Sequence, residues 1–198
     1  FFFHPHPGKP DAQESRGLGD VYKRQLIFSS LGLNAETTNT KLNELFIQLK
    51  ECNSQKQSKI LENKIWRLWE THPTNFQLTI DLKEGSRLVQ NRNYLKAYNI
   101  FSKIIDKDPN WAEAWNRRAT TLYLMGKHKN ALKDIDIVLK LEKRHFGALI
   151  GKGQVYIEMK EYEKAFNSFL ESSYINPMNS NTMELIPRIS KLISEKII

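Results

Sequence analysis

Few residues in this chain have the types and spacing that covalent or metal chemistry requires. Cys52 is the only cysteine, so an internal disulfide and a cysteine-based metal site are excluded. Asp134 and Asp136 are two apart, and such neighbours on a helix point in different directions, which argues against a paired acid and base. We expect His128, in a turn, and His145, at a boundary between repeated segments, to face solvent or to bond a helix end.

Longer catalytic motifs are also missing from the sequence. It has no Gly-rich phosphate loop, no nucleophile elbow and no His-Glu zinc pattern. Gly151-Lys152-Gly153 superficially suggests a phosphate loop, but it falls inside an expected helix. Helix packing explains Gly153, whereas it does not easily explain Gly151. The sequence therefore predicts no enzyme activity, no cofactor and no metal site.

The most regular feature of the chain is a 34-residue spacing (131 − 97 and 165 − 131) between three alanines. Other small residues and bulky apolar residues recur at the same spacing. Small side chains let two helices approach closely, and a bulky residue four positions after an alanine shares its helix face. We expect the small residues at contacts within a repeated unit and the bulky ones between units. These positions are Gly85, Ala97, Phe101, Ala119, Ala131, Ile135, Gly153, Ala165 and Phe169.

The repeat resembles the tetratricopeptide repeat (TPR), a unit of about 34 residues in two antiparallel helices. One such hairpin cannot bury its apolar face, so the units must stack. The resemblance implies an all-α fold, a right-handed α-solenoid of antiparallel helix pairs with capping helices at both ends. Gly126 is expected at a left-handed helix end. The TPR region is 77–177, with units at 78–111, 112–145 and 146–177.

Helices on both sides of the repeats lack the repeated small residues. Residues 36–76 predict a helix pair that shields the open face of the first unit, with Trp66 and Trp69 in its core. Residues 178–198 predict a capping helix that Pro187 kinks or divides. We therefore expect about ten helices in all.

The TPR resemblance also implies a concave groove lined by the first helix of each unit. The residues at groove positions are mostly neutral amides and hydroxyls with one tyrosine, which suit an extended or helical peptide and do not suit a polyanion. The expected partner is therefore a protein or peptide. The candidate groove residues are Ser86, Gln90, Asn116, Arg117, Thr120, Tyr123, Gln154, Ile157 and Glu158.

A better-known branch of TPR proteins binds acidic chaperone tails through a carboxylate clamp of Lys, Arg and Asn residues. The corresponding positions here hold Leu82, Ser86, Arg117, Gly147 and Gly151. The clamp is missing at all five positions, so the sequence does not predict a co-chaperone.

Two segments, 115–120 and 144–149, are similar to a branch of small, often exported bacterial TPR proteins. We expect Arg144 to bond the carbonyls at the end of the preceding helix. Residues 26–35 are uncharged and largely apolar and look like the end of a signal peptide, too short to span a bilayer. Export to the periplasm is the expectation, with a cytoplasmic location as the alternative and with no transmembrane segment in the mature chain.

Residues 1–25 are predicted to be foreign to the fold. The stretch 15–25 is what one reading frame of a common sequencing adapter encodes, so the segment is treated as a library artefact without stable structure.

The composition leaves a second function open. Lys and Arg number 30 against 22 Asp and Glu, a net charge of +8, which could attract nucleic acid or another anionic polymer. The basic residues are scattered rather than clustered, so nucleic acid is the less favoured partner. The leading hypothesis is a non-enzymatic protein-binding adaptor, and a third possibility is an accessory subunit of an enzyme complex.

Overall fold

The structure is a computed structural model that describes residues 38–196, and over this range the chain is built from nine α-helices. The prediction of an all-helical solenoid is confirmed. The helices are α1 (38–51), α2 (Gln55–Trp69), α3 (Phe76–Gln90), α4 (Tyr94–Lys107), α5 (Ala112–Leu124), α6 (His128–Leu141), α7 (Phe146–Glu158), α8 (Tyr162–Ile175) and α9 (Ser180–Lys196).

Each repeated unit is a helical hairpin that turns through one left-handed residue. Arg92 and Lys160 have φ of 58° and Gly126 has φ of 72°, so the turn recurs at the repeat spacing. In the second unit the Lys127 N–H donates to the Leu122 carbonyl at 2.9 Å, which closes the end of α5. The left-handed conformation expected at Gly126 is confirmed, and two units adopt it without glycine.

The two helices of a unit approach closely where the small residues lie. A Cβ built on Gly85 would lie 2.5 Å from the Phe101 ring, and the Phe169 ring blocks Gly153 in the same way. Phe101 and Phe169 therefore pack against the glycine of their own unit. Phe101 also belongs to an apolar cluster with Ala114 of the next unit, which agrees with the predicted packing between units. In the second unit, Ala119 stands where the other units have glycine, and Ile135 stands where they have phenylalanine. The extra methyl group of the alanine is thus matched by a smaller apolar partner.

The α1–α2 hairpin lies along the junctions between units, although we predicted that it shields the open face of the first unit. The Trp111 indole N–H donates to the Trp69 carbonyl at 2.9 Å, at the start of α5. Near the start of α2, the Ser58 hydroxyl donates to Asn176 Oδ1 at 2.9 Å, beyond the end of α8. The hairpin takes this course because its apolar face packs on Phe146, the first residue of α7.

Glu62 fixes the far end of the hairpin to the last junction. It is buried, and its carboxylate accepts from the side-chain amides of Asn176 at 2.6 Å and Asn179 at 2.7 Å. Ser58, one turn earlier on α2, is bonded to the same Asn176. These bonds join residues more than a hundred positions apart, and they hold α2 across the third unit.

Arg144 does not bond the carbonyls at the end of α6. Its guanidinium donates to Glu142 at 2.9 Å and to Asn43 Oδ1 at 2.7 Å, and it lies 4.3 Å from the Phe46 ring centre. Arg144 therefore binds the unit junction to α1, because the hairpin places Asn43 and Phe46 within its reach.

Pro187 lies inside α9, which continues through it. Of the two predicted outcomes, a kink or a division, the division does not occur and the kink stays a prediction. Proline removes the N–H that would bond the carbonyl of Met183, four residues earlier. Both residues are exposed, so water can bond the freed carbonyl. The undivided helix accounts for nine helices where about ten were expected.

Two predictions fall wholly outside the described residues. The adapter assignment of 1–25 and the signal-peptide assignment of 26–35 both lie before residue 38 and remain predictions. Between residues 38 and 196, none of the helices combines the length and apolar character that a membrane span requires.

Candidate functional site

The polar residues predicted for the centre of the groove meet at the boundary between α5 and α7. Asn116, Thr120 and Tyr123 recur at four and three residues along α5, so they share one stripe of that helix. Gln154 faces them from α7. Together they border a cavity of about 40 Å³, whose walls are Asn116, Ala119, Thr120, Tyr123, Ile135, Gly147, Ala148, Gly151, Gln154 and Val155.

Several polar atoms in this cavity wall have no hydrogen-bond partner within residues 38–196. The Asn116 amide N–H donates to Glu113 at 3.1 Å, but the Asn116 side-chain oxygen accepts nothing there. The Thr120 hydroxyl donates to the Asn116 carbonyl at 3.0 Å and keeps its lone pairs. The carboxamide of Gln154 and the hydroxyl of Tyr123 also lack partners in this part of the chain. The groove floor therefore offers both donors and acceptors to a ligand.

Tyr123 keeps its proton at neutral pH. Burial raises the pKa of its hydroxyl, and the negative charge of Glu158 raises it further. The tyrosine is half-buried, with its ring 5.8 Å from the ring of His128. Its hydroxyl is therefore a hydrogen-bond donor at the edge of the cavity, and exposed Glu158 acts on this edge through its charge.

A second part of the groove lies between α3 and α5. Ser86, Gln90 and Arg117 line a cleft of about 290 Å³ there. The Ser86 hydroxyl donates to the Leu82 carbonyl at 2.9 Å, within its own helix. Arg117 is held in ion pairs with Glu113 and Glu70, so its charge is balanced within the chain.

Helix α2 forms a wall of the groove that the sequence did not predict. A cleft of about 270 Å³ lies between Lys59, Glu62 and Trp66 on one side and the residues of α5, α7 and α9 on the other. Trp66 packs directly on Gly147, where a Cβ would lie 2.5 Å from the indole. In the sequence, only the glycine at position 147 indicates that another residue packs closely there, and it does not show that this residue is Trp66.

The α2 wall is anchored by a buried polar cluster around Glu113. Its carboxylate pairs with Arg117 and lies 3.1 Å from Nε2 of His145, which is fully buried. Nδ1 of His145 accepts the Ala148 N–H at 3.1 Å, so the ring proton lies on Nε2 and is donated to Glu113. The His145 ring stacks on Trp69 of α2 with 4.0 Å between ring centres.

The environment of Glu113 favours its charged form. Burial raises the pKa of this carboxyl, but the charge of Arg117 and the hydrogen bond from His145 outweigh burial, so its pKa lies below the usual range. The prediction that His145 bonds a helix end holds, but its burial and its contact with Glu113 were missed. The cluster is enclosed and its groups are paired, so it stabilises the fold and does not suit catalysis.

The remaining candidate groove residue, Ile157, does not line these cavities. Its side chain is partly buried against the apolar cluster of Ile150, Ala165, Phe169 and Ile189. Asp134 and Asp136 form separate ion pairs, with Arg118 and Lys152. Within the described residues, no group of three or more His, Cys, Asp or Glu side chains is placed to hold a metal ion.

Known proteins with similar sequences and folds include several TPR proteins. Residues 90–172 match the family model "Anaphase-promoting complex, cyclosome, subunit 3". A TPR repeat-containing protein of Rhizobium etli is 27% identical, with 79% of this chain and 74% of that protein covered. The first TPR of Spaghetti (RPAP3), solved with an HSP90 peptide, has a TM-score of 0.57 at 18% identity, with 59% and 93% covered.

The fold is a tetratricopeptide-repeat solenoid. The type III secretion chaperone SycD of Yersinia enterocolitica, solved with a peptide of the translocator YopD, has a TM-score of 0.54 at 12% identity, with 61% of this chain and 92% of that chain covered. Hsp70-Hsp90 organizing protein 1 of Glycine max is 26% identical over 57% of this chain, which spans only 20% of that relative's length.

Proposed function

We propose that this TPR chain is a non-enzymatic adaptor that binds a protein segment in its concave groove. The observation that carries the proposal is the set of unpaired polar atoms on Asn116, Tyr123 and Gln154 around the central cavity. An extended peptide has one N–H and one C=O per residue, which these side chains can bond without any charge.

The related structures support a peptide as the ligand, but they do not indicate that this chain binds the same peptide as they do. The RPAP3 repeat is solved with an HSP90 peptide and SycD with a YopD peptide, so proteins of this fold bind peptides from different proteins. The carboxylate-clamp positions of this chain include Gly147, covered by Trp66, and Arg117, already paired with two carboxylates. We therefore do not propose an acidic chaperone tail as the ligand.

The ion pairs of the structure weaken the electrostatic alternative. Arg117 and Arg118 of α5 are two positive charges near the groove, and both are engaged within the chain, Arg118 with Asp134 at 2.7 Å. Binding through such residues would first break their internal pairs. A polyanion would also bind with an affinity that falls steeply with salt.

A random peptide library displayed on phage provides a direct test on the full chain. We expect selected peptides, once synthesised, to lose about tenfold or more in affinity for Tyr123→Ala, since a partly exposed tyrosine is a typical binding anchor. Tyr174→Ala is the matched control, because Tyr174 is 69% exposed on α8. Circular dichroism checks that both variants are folded.

Two results would contradict the adaptor proposal. One is equal affinity of the selected peptides for Tyr123→Ala and for the parent chain. The other is an affinity for single-stranded DNA that exceeds the peptide affinity and falls steeply between low and high salt.

A further inference from the structure

Gly151 is the one helical glycine of the third unit that the packing of the described residues does not require. The Phe169 ring occupies the space beside Gly153, and Trp66 occupies the space beside Gly147. A Cβ on Gly151 would meet only Ile135 Cδ1, at 4.0 Å, an ordinary contact. Glycine inside a helix costs about 0.5–1 kcal/mol relative to alanine. The chain accepts this cost at Gly151 without a gain in internal packing.

The missing side chain leaves the groove floor open. Gly151 borders both the central cavity and the cleft beside α2, so the two spaces meet there. A Cβ at this position would project into the cavity, because Ile135, its nearest neighbour, is another wall residue. Gly151 therefore sets how deep the groove is between α5 and α7.

The cavity walls change from apolar to polar toward the groove. The buried members include Ala119, Ile135 and Val155, whereas Thr120 and Gln154 are exposed at the opening. A volume of about 40 Å³ is roughly three times the 10–15 Å³ that a cavity needs to hold one water, so the cavity fits a side chain of roughly one to three carbon atoms. The apolar walls favour a hydrocarbon group over a polar one.

We propose that this cavity is a socket for one small aliphatic side chain, alanine or valine, of an extended segment bound in the groove. The side chain enters over Gly151, while the carboxamides of Asn116 and Gln154 bond the ligand main chain on either side. Gly151 is then the residue that determines specificity, because any side chain there fills the socket. The inference rests on the proposed function and names the ligand class for the same groove.

The test uses the full chain and peptides selected from a random library on phage. We expect the selected sequences to share one position restricted to alanine or valine. Replacing that residue with leucine in a synthetic peptide should lower affinity at least tenfold. Gly151→Ala should lower affinity for the parent peptide at least tenfold while the melting temperature stays equal or rises, because alanine is the better helix residue. Lys133→Ala, an exposed change on α6, serves as the control and should leave affinity unchanged.

The outcomes separate the socket from the adaptor proposal. If Tyr123→Ala abolishes binding but Gly151→Ala binds the peptides as the parent does, the socket is wrong and groove binding stands. A shared position that accepts leucine or phenylalanine equally well would also overturn the socket. If the library yields no peptide whose binding depends on Tyr123, both proposals are wrong.

Discussion

Helix α5 contributes to two polar regions that differ in how their hydrogen bonds are used. On the junction side, Glu113 and Arg117 are paired with each other and with His145 and Glu70. On the groove side, one turn farther along, Thr120 and Tyr123 face a cavity with free bonding capacity. Residue types alone do not separate the regions. In the region that stabilises the fold, the polar side chains are hydrogen-bonded to one another. In the region available to a ligand, several polar side-chain atoms have no partner within the described residues.

The largest expected effect is on the junction side. Glu113→Ala removes the carboxylate that pairs with Arg117 and accepts from His145 and Asn116. Breaking a buried ion pair by removing one partner costs about 3–5 kcal/mol of the free energy of unfolding. Urea unfolding followed by circular dichroism measures the change, and Glu158→Ala is the exposed control. A loss below about 1 kcal/mol would mean that the cluster is not structural.

A smaller effect is expected where α2 rests on the third unit. Gly147→Ala forces the Trp66 indole to move, and overpacking of this kind costs about 1–3 kcal/mol. The matched control is Gly151→Ala, one turn away on the same helix, where the added methyl group has space. Equal unfolding free energies for the two variants would show that Trp66 is not fixed on α7.

The period of 34 residues predicted the three hairpins because each unit repeats one local packing rule. It also placed Asn116, Thr120, Tyr123 and Gln154 on one surface, since a helical register fixes which residues share a face. No local pattern could pair Glu113 with His145, which lie 32 positions apart and meet only after a full unit has folded.

The position of the α1–α2 hairpin could not be predicted for the same reason. Its helices were visible as apolar stripes, but they carry no repeat register to show where they dock. The hairpin packs on Phe146, and nothing in the sequence distinguishes Phe146 from other apolar core residues. The long-range bonds of Glu62 to Asn176 and Asn179 depend on that docking and leave no sequence signal.

The pH dependence of stability should also distinguish the two regions. Burial raises the pKa of Glu113, but Arg117 and His145 together lower it below its unfolded value of about 4.3. Its contribution is therefore fully present above the unfolded pKa and is lost as pH falls through the folded pKa. We expect the stability difference between the parent chain and Glu113→Gln to narrow as pH falls below about 4.3, in urea unfolding at a series of pH values. A constant difference would contradict the assignment.

The smallest expected effect is on the groove side, where two carboxamides provide a matched pair. The Gln154 side chain bonds nothing within residues 38–196 and is exposed, so Gln154→Ala should change the free energy of unfolding by no more than about 0.5 kcal/mol. The side chain of Asn176 is fully buried and bonded to Ser58 and Glu62, so Asn176→Ala should cost about 1–3 kcal/mol. Thermal and urea unfolding of the two variants measure both values. A large loss for Gln154→Ala would mean that the groove floor holds the fold together, because a residue kept for ligand contact contributes to binding and not to folding. Its polar surface would then no longer be evidence for a ligand.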